Sequence, residues 1–215
     1  MLSDVTTVPM GLLEKVKEFN NSKNPVVGLL RDIIFVVAVV AIFASVSHLA
    51  LGLWAPMVAV ESGSMIPHIE VGDIIFVQSI DRTQIITYEE GENINYTSFG
   101  EYGDVILYKP NGIEGVTPII HRAMYYVEQG APMWQGGPPA PHAGYITKGD
   151  NVITNPAYDQ CLGSGAGCEG MFGLRDPEGR PMQPVKKEWI IGVARFYRIP
   201  LLGYVSIIPR KILSI

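Results

Sequence analysis

The run Val60-Glu61-Ser62-Gly63-Ser64-Met65-Ile66-Pro67-His68 sets two serines one residue apart beside glycine and proline. A tight extended turn there would expose a hydroxyl, that of Ser64 above all. A serine hydroxyl is a weak nucleophile at neutral pH and needs a base within hydrogen-bond reach. Three histidines follow it: His68, His121 and His142. His68 comes directly after Pro67 and is expected to face away in a turn. His142 sits in the Pro-rich stretch 130–143, a poor platform for a catalytic ring. His121 lies in the apolar run Ile119-Ile120-His121-Arg122, where a strand would hold an imidazole rigidly. A lone strand histidine also serves as an ordinary core residue. An imidazole that takes and returns a proton needs a carboxylate to fix its tautomer. Asp150 and Asp159 are the candidates, and the residues alone leave the choice between them open. Asp150 also fits an Asx-turn that closes a strand. Lys109 is the alternative base, and an amine works as a base only when desolvated, whereas Lys148 beside Gly149-Asp150 reads as a structural or substrate contact.

The elements that must position these residues are short β-branched runs bounded by Gly, Pro, Asn and Asp. They are Asp73–Gln78, Asp104–Lys109, Ile119–Val127, Gly144–Lys148 and Ile190–Arg198. None keeps a helical period, so the expected fold is mainly β, an antiparallel sheet. Residues 130–143 and 161–184 read as turn-rich connections. Glu89, Glu90 and Glu92 read as a solvated loop face, with no histidine beside them to suggest a metal site. Cys161 and Cys168 enclose six flexible residues, which permits a short-loop disulfide in an oxidising compartment. Asn95-Tyr96-Thr97 is a glycosylation acceptor triplet if it lies outside the cell or in a lumen.

From Ile33 to Val60 there is no Asp, Glu, Lys or Arg. The densest part, Ile33 to Ala55, would span roughly 34 Å as a helix, enough to cross a bilayer core of about 30 Å. Trp54 and Pro56 suit its interfacial end. The stretch is too long, and begins too far into the chain, for the apolar region of a cleavable secretory signal. Lys15, Lys17, Lys23 and Arg31 precede it, whereas the first basic residue after it is Arg82. By the positive-inside rule the N-terminus is cytoplasmic and the rest outside or lumenal. The expected division is a cytoplasmic segment 1–32, a transmembrane helix 33–56 and an extracytoplasmic catalytic domain 57–215. The tail 199–215, with Arg198, Arg210 and Lys211, suits either an anionic membrane surface or a last strand with a frayed end.

Composition narrows the function further. The chain has 215 residues, 16 basic and 21 acidic, for a net charge of −5. A nucleic-acid binder needs a basic face to displace phosphate counterions, so the charge argues against that class. Two cysteines exclude a four-thiolate zinc site. No metal or nucleotide motif is present, and no cofactor is expected.

The motifs carry a resemblance. Ser62-Gly63-Ser64-Met65-Ile66-Pro67 resembles the nucleophile box of type I signal peptidases, continued by Gly72-Asp73-Ile74-Ile75. Gly103-Asp104-Val105-Ile106, Ile120-His121-Arg122 and Lys148-Gly149-Asp150-Asn151 resemble the later boxes, in order. Bacterial members place a lysine where this chain has His121, so the chain looks like the archaeal and endoplasmic-reticulum branch. Ile199-Pro200-Leu201-Leu202-Gly203-Tyr204 resembles a closing segment of archaeal members. The resemblance implies Ser64 as nucleophile, His121 as base, and the Ser64 N–H with the Ser62 hydroxyl as oxyanion donors. It also implies a second acid shortly after Gly149-Asp150-Asn151, a place that Asp159 fits best. The implied activity is serine endopeptidase cleavage of signal peptides from secretory preproteins, at a pattern of small residues one and three positions before the scissile bond. The implied partners are those preproteins and the lipid bilayer, with the translocation machinery a further candidate. Two other readings compete. One is a self-cleaving Ser-Lys protease of the same β fold, against which the anchor and the lack of a DNA-binding helix pair speak. The other is a catalytically inactive membrane-tethered β module serving as an assembly subunit.

Overall fold

The structure, a computed structural model, describes residues 11–168 and 170–200. It begins with two helices, α1 (Leu12–Asn21) and α2 (Pro25–Leu51). α2 starts where a side chain can cap it: Asn24 Oδ1 accepts the Val26 N–H at 2.9 Å, and Pro25 fills the first turn. It stops at Leu51 because Gly52 takes a left-handed φ of 75° and turns its N–H back to the His48 carbonyl. The helix therefore begins before the expected Ile33 and ends before Trp54 and Pro56. Its 27 residues rise about 40 Å, more than the ~30 Å of a hydrocarbon core. It is apolar and long enough to cross a membrane. The chain divides into two compact units, with the boundary between Ser47 and His48.

The second unit is mainly antiparallel β. Its elements are β1 (Met57–Ala59), β2 (Ile74–Gln78), α3 (Tyr88–Ile94), β3 (Thr97–Ser98), β4 (Glu101–Tyr102), β5 (Val105–Tyr108), β6 (Ile119–Val127), β7 (Gly144–Lys148) and β8 (Ile190–Ile199). Six strands form one sheet in the order β1-β2-β8-β5-β6-β7, and β3 pairs with β4 as a separate ribbon. β5 lies inside the sheet and is buried at every residue. Its alternating side chains feed two cores, as the period of two requires. Val105 and Leu107 pack with Val60, Met65, Ile69, Ile75, Val77, Ile120 and Ala194. Ile106 and Tyr108 pack with Ala123, Met182, Val185, Ile190 and Val193.

Five strands match the β-branched runs of the sequence to within a residue at each end. The three-residue β1 and the β3–β4 ribbon are too short to leave a pattern. Residues Glu89, Glu90 and Glu92 lie in α3 rather than in a loop. The reason is a capping box: the Thr87 hydroxyl accepts the Glu90 N–H, and Glu90 Oε2 accepts the Thr87 N–H at 2.8 Å.

Among the described residues, 130–143 and 161–184 hold only isolated bridges, including Pro132 to Pro139 and Leu162 to Phe172. They nevertheless share a third core of Val127, Met133, Trp134, Ala140, Ile146, Ala157 and the Cys161–Cys168 disulfide. Trp134 joins the two connections, because its Nε1–H donates to the Ser164 carbonyl at 2.6 Å inside the disulfide loop. Of the tail expected to rest on a membrane surface, residues 201–215 lie outside the described residues.

Candidate active site

Ser62 and Ser64 lie in the loop between β1 and β2. That loop is short of regular structure but firmly held. Met65 and Ile69 anchor it in the first core with no exposed surface, and the Ile69 N–H donates to the Met65 carbonyl at 3.0 Å to close a turn. A second loop, after β7, braces it from outside. Asn151 donates its backbone N–H to the Ser64 carbonyl and its side-chain amide to the Gly63 carbonyl, each at 2.8 Å. This approach requires Gly149: a Cβ there would stand 2.7 Å from the Ser64 carbonyl oxygen and 2.7 Å from Asn155. The Ser62 and Ser64 hydroxyls lie 3.3 Å apart, within hydrogen-bond distance. The Ser64 N–H donates to none of the described residues.

His121 is the third residue of β6, opposite Ile106 of β5. Its neighbour Arg122 faces the other side of the sheet, because successive side chains alternate. The two therefore take different acids. His121 Nδ1 lies 2.7 Å from Asp159 Oδ2, with the two residues 2 % and 1 % exposed. Arg122 takes Asp150 with both nitrogens of its fork, Nε at 2.9 Å and Nη2 at 2.6 Å. Its Nη1 donates to the carbonyls of Ser98 and Gly103 at 2.9 and 2.8 Å. His68 completes this second cluster, with Nδ1 2.9 Å from Asp150 Oδ2. His68 lies in a turn as expected, but that turn carries it onto the acid.

Asp159 is held by two hydroxyls besides the imidazole. The Tyr108 hydroxyl of β5 and the Thr147 hydroxyl of β7 both donate to the same Oδ2, at 2.9 and 2.6 Å. Burial works against the carboxylate, but the His121 charge and these hydrogen bonds outweigh it and hold Asp159 below its ordinary value. A carboxylate on Nδ1 favours the tautomer with the proton there, which leaves Nε2 as the basic nitrogen. Nε2 makes no hydrogen bond to a described residue.

Ser62, Ser64 and His121 line one cleft of about 1130 Å³. Its walls are the edge strand β1 (Met57, Val58, Ala59), the Asn151–Asn155 turn, Pro118–Ile120 and Leu174. The Ser64 hydroxyl makes no direct hydrogen bond to His121. Such contacts are commonly long in ligand-free sites and tighten around substrate. Asp150 and Lys148 line a separate, smaller cavity of about 250 Å³ with His68 and Arg122. Lys109 is paired with Glu114 at 2.6 Å and lies outside the cleft.

Sequence reasoning missed the site roles of three residues, Tyr108, Thr147 and Asn151, and the contact of His68 to Asp150. Strand alternation was the available signal for the first two. Tyr108 stands two residues after Ile106, on the face that His121 shares through the β5–β6 register. Among the described residues no group of His, Cys, Asp and Glu is arranged to hold a metal ion. No family model matches the chain, and no curated protein matches it.

Proposed function

We propose that this chain is a membrane-anchored serine endopeptidase with the fold and Ser–His chemistry of a type I signal peptidase, cutting signal peptides from secretory preproteins. The observation that carries the reading is the buried Asp159–His121 pair, which presents its imidazole to the cleft that Ser64 lines. Ser64 attacks the scissile carbonyl while His121 Nε2 takes the hydroxyl proton and later gives it to the leaving amine. The Ser64 N–H and the Ser62 hydroxyl receive the developing oxyanion, each such donor being worth about 3–4 kcal/mol. Water then releases the acyl-enzyme by the same steps in reverse order. Asp159 holds the imidazole, and Asp150 serves structure through Arg122. Substrate lies extended along β1, an edge strand with a free side, so that alternate side chains meet the cleft wall. Small residues one and three positions before the cut suit that arrangement.

The anchor is α2, with the N-terminus cytoplasmic and the β unit outside or in a lumen, and the preproteins and bilayer are the partners. Ser64 follows soon after the apolar helix in sequence, which suits substrates delivered at the membrane surface. The Ser-Lys alternative is disfavoured because neither Lys109 nor Lys148 lines the Ser64 cleft. The test is direct. The detergent-solubilised chain is incubated with a preprotein and the new N-terminus is sequenced. Cleavage directly after a small residue behind the apolar signal region is expected. No cleavage, or cuts scattered through unfolded segments, would overturn the reading.

A further inference from the structure

Asp159 Oδ2 receives three donors, while Oδ1 is buried and has no partner among the described residues. The carboxylate is thus committed through one oxygen, and His121 shares that oxygen with two hydroxyls. The proton arrangement is fixed by what stands behind them. Gln160 Nε2 donates to Thr147 Oγ1 at 3.1 Å, so the Thr147 hydroxyl proton goes forward to Asp159. Among the described residues the wholly buried Tyr108 hydroxyl bonds only to Asp159 and Thr147, at 2.9 and 3.2 Å. Its proton goes to the anion, the stronger acceptor. Burial and the Asp159 charge together keep that phenol protonated, far above its ordinary value.

We infer that Tyr108, with Thr147 beside it, is a positioning residue that sets how strongly Asp159 accepts from His121. Each hydroxyl that draws on Oδ2 makes that oxygen a weaker acceptor for the imidazole N–H, and so makes Nε2 a weaker base. The titratable groups facing Asp159 are His121 from β6 and Tyr108 from β5, while β7 supplies the uncharged Thr147. On the cleft side the acidic neighbour of the serine loop is Glu61. This inference rests on the proposed Ser64–His121–Asp159 chemistry, but its first readout needs no catalysis.

The experiment pairs a proton spectrum with a pH profile, on the full chain in detergent. Tyr108→Phe removes the hydroxyl alone. The low-field resonance of the His121 Nδ1 proton is expected to move further downfield as Asp159 becomes the stronger acceptor. In the cleavage assay the acid limb of kcat/KM is expected to move to higher pH by about 0.5 unit, a roughly threefold loss on the acid side. Thr147→Val should move both readouts the same way and stands in if Tyr108→Phe fails to fold. Thr147→Ser, which keeps a hydroxyl, should return them toward the wild-type position. An unmoved proton resonance in a folded Tyr108→Phe protein would overturn the inference. So would an equal loss of activity at every pH. If the wild-type chain cleaves no preprotein, the protease reading fails alone, and the resonance still decides the role of Tyr108.

Discussion

At the scale of single residues, the two acids of the site make opposite predictions. On the proposed chemistry, Asp159→Asn leaves the imidazole with the wrong partner for its tautomer and should lower kcat by about 10⁴-fold. Asp150→Asn weakens the buried Arg122 pair and should instead lower stability, by about 3 kcal/mol in denaturant unfolding. Equal effects of the two on kcat would contradict the division of labour. Gly149→Ala should shift the Ser64 carbonyl and cost about 10²-fold in kcat/KM, because displacements near 1 Å have that effect on a positioned nucleophile. The pH dependence of stability follows from Asp159. Its folded value is depressed, so its contribution is full above about pH 4, where the unfolded acid is ionised. That contribution is lost as pH falls through the lower folded value, and Asp159→Asn should flatten the acid side of the stability curve. Ser64, His121 and both acids were visible in the sequence, but which acid meets the ring was not. The answer lay in the alternation of β6, which sends His121 and Arg122 to opposite faces and so gives each its own carboxylate.

At the scale of elements, legibility followed length and local signal. β6 and β7 could be bounded from their β-branched runs, whereas β1, β3 and β4 have too few residues to show a period. α3 is different: its capping box was present in Thr87-x-x-Glu90, but three acidic residues in a row of seven masked it as a loop. Thr87→Ala should cost about 1 kcal/mol, read as a lowered unfolding midpoint. The long connections looked structureless because their order comes from one tryptophan and one disulfide rather than from any periodic pattern. Replacing both Cys161 and Cys168 by Ser should remove about 2–3 kcal/mol of stability by freeing a short loop in the unfolded chain. Mass spectrometry without reductant should find the two thiols bonded, and two free thiols would contradict the third core as described. Asp176 closes the far end of the same region. Burial opposes its charge, but Asn111, Arg180 and the Glu178 N–H hold its carboxyl down to about 2.

At the scale of the whole molecule, one apolar helix precedes a β unit whose sheet order no local rule announces. Order β1-β2-β8-β5-β6-β7 places the last strand between the second and the fifth, a long-range pairing that sequence patterns do not encode. The helix was the plainest feature of the chain, although its ends were set by Asn24-Pro25 and Gly52 rather than by the limits of the apolar run. On the proposed topology the chain should stay in the membrane pellet after alkaline extraction, and added protease should reach the β unit only from the outside or lumenal face. The account turns on Ser64 becoming acylated through His121, and a trapped intermediate tests that most directly. A preprotein-derived peptide ester is mixed with the chain, quenched in acid within milliseconds and analysed by peptide mass spectrometry. The account predicts the acyl mass on Ser64 in the wild-type chain, little of it in His121→Ala and none in Ser64→Ala. Acyl mass on another residue, or full turnover by Ser64→Ala, would contradict it.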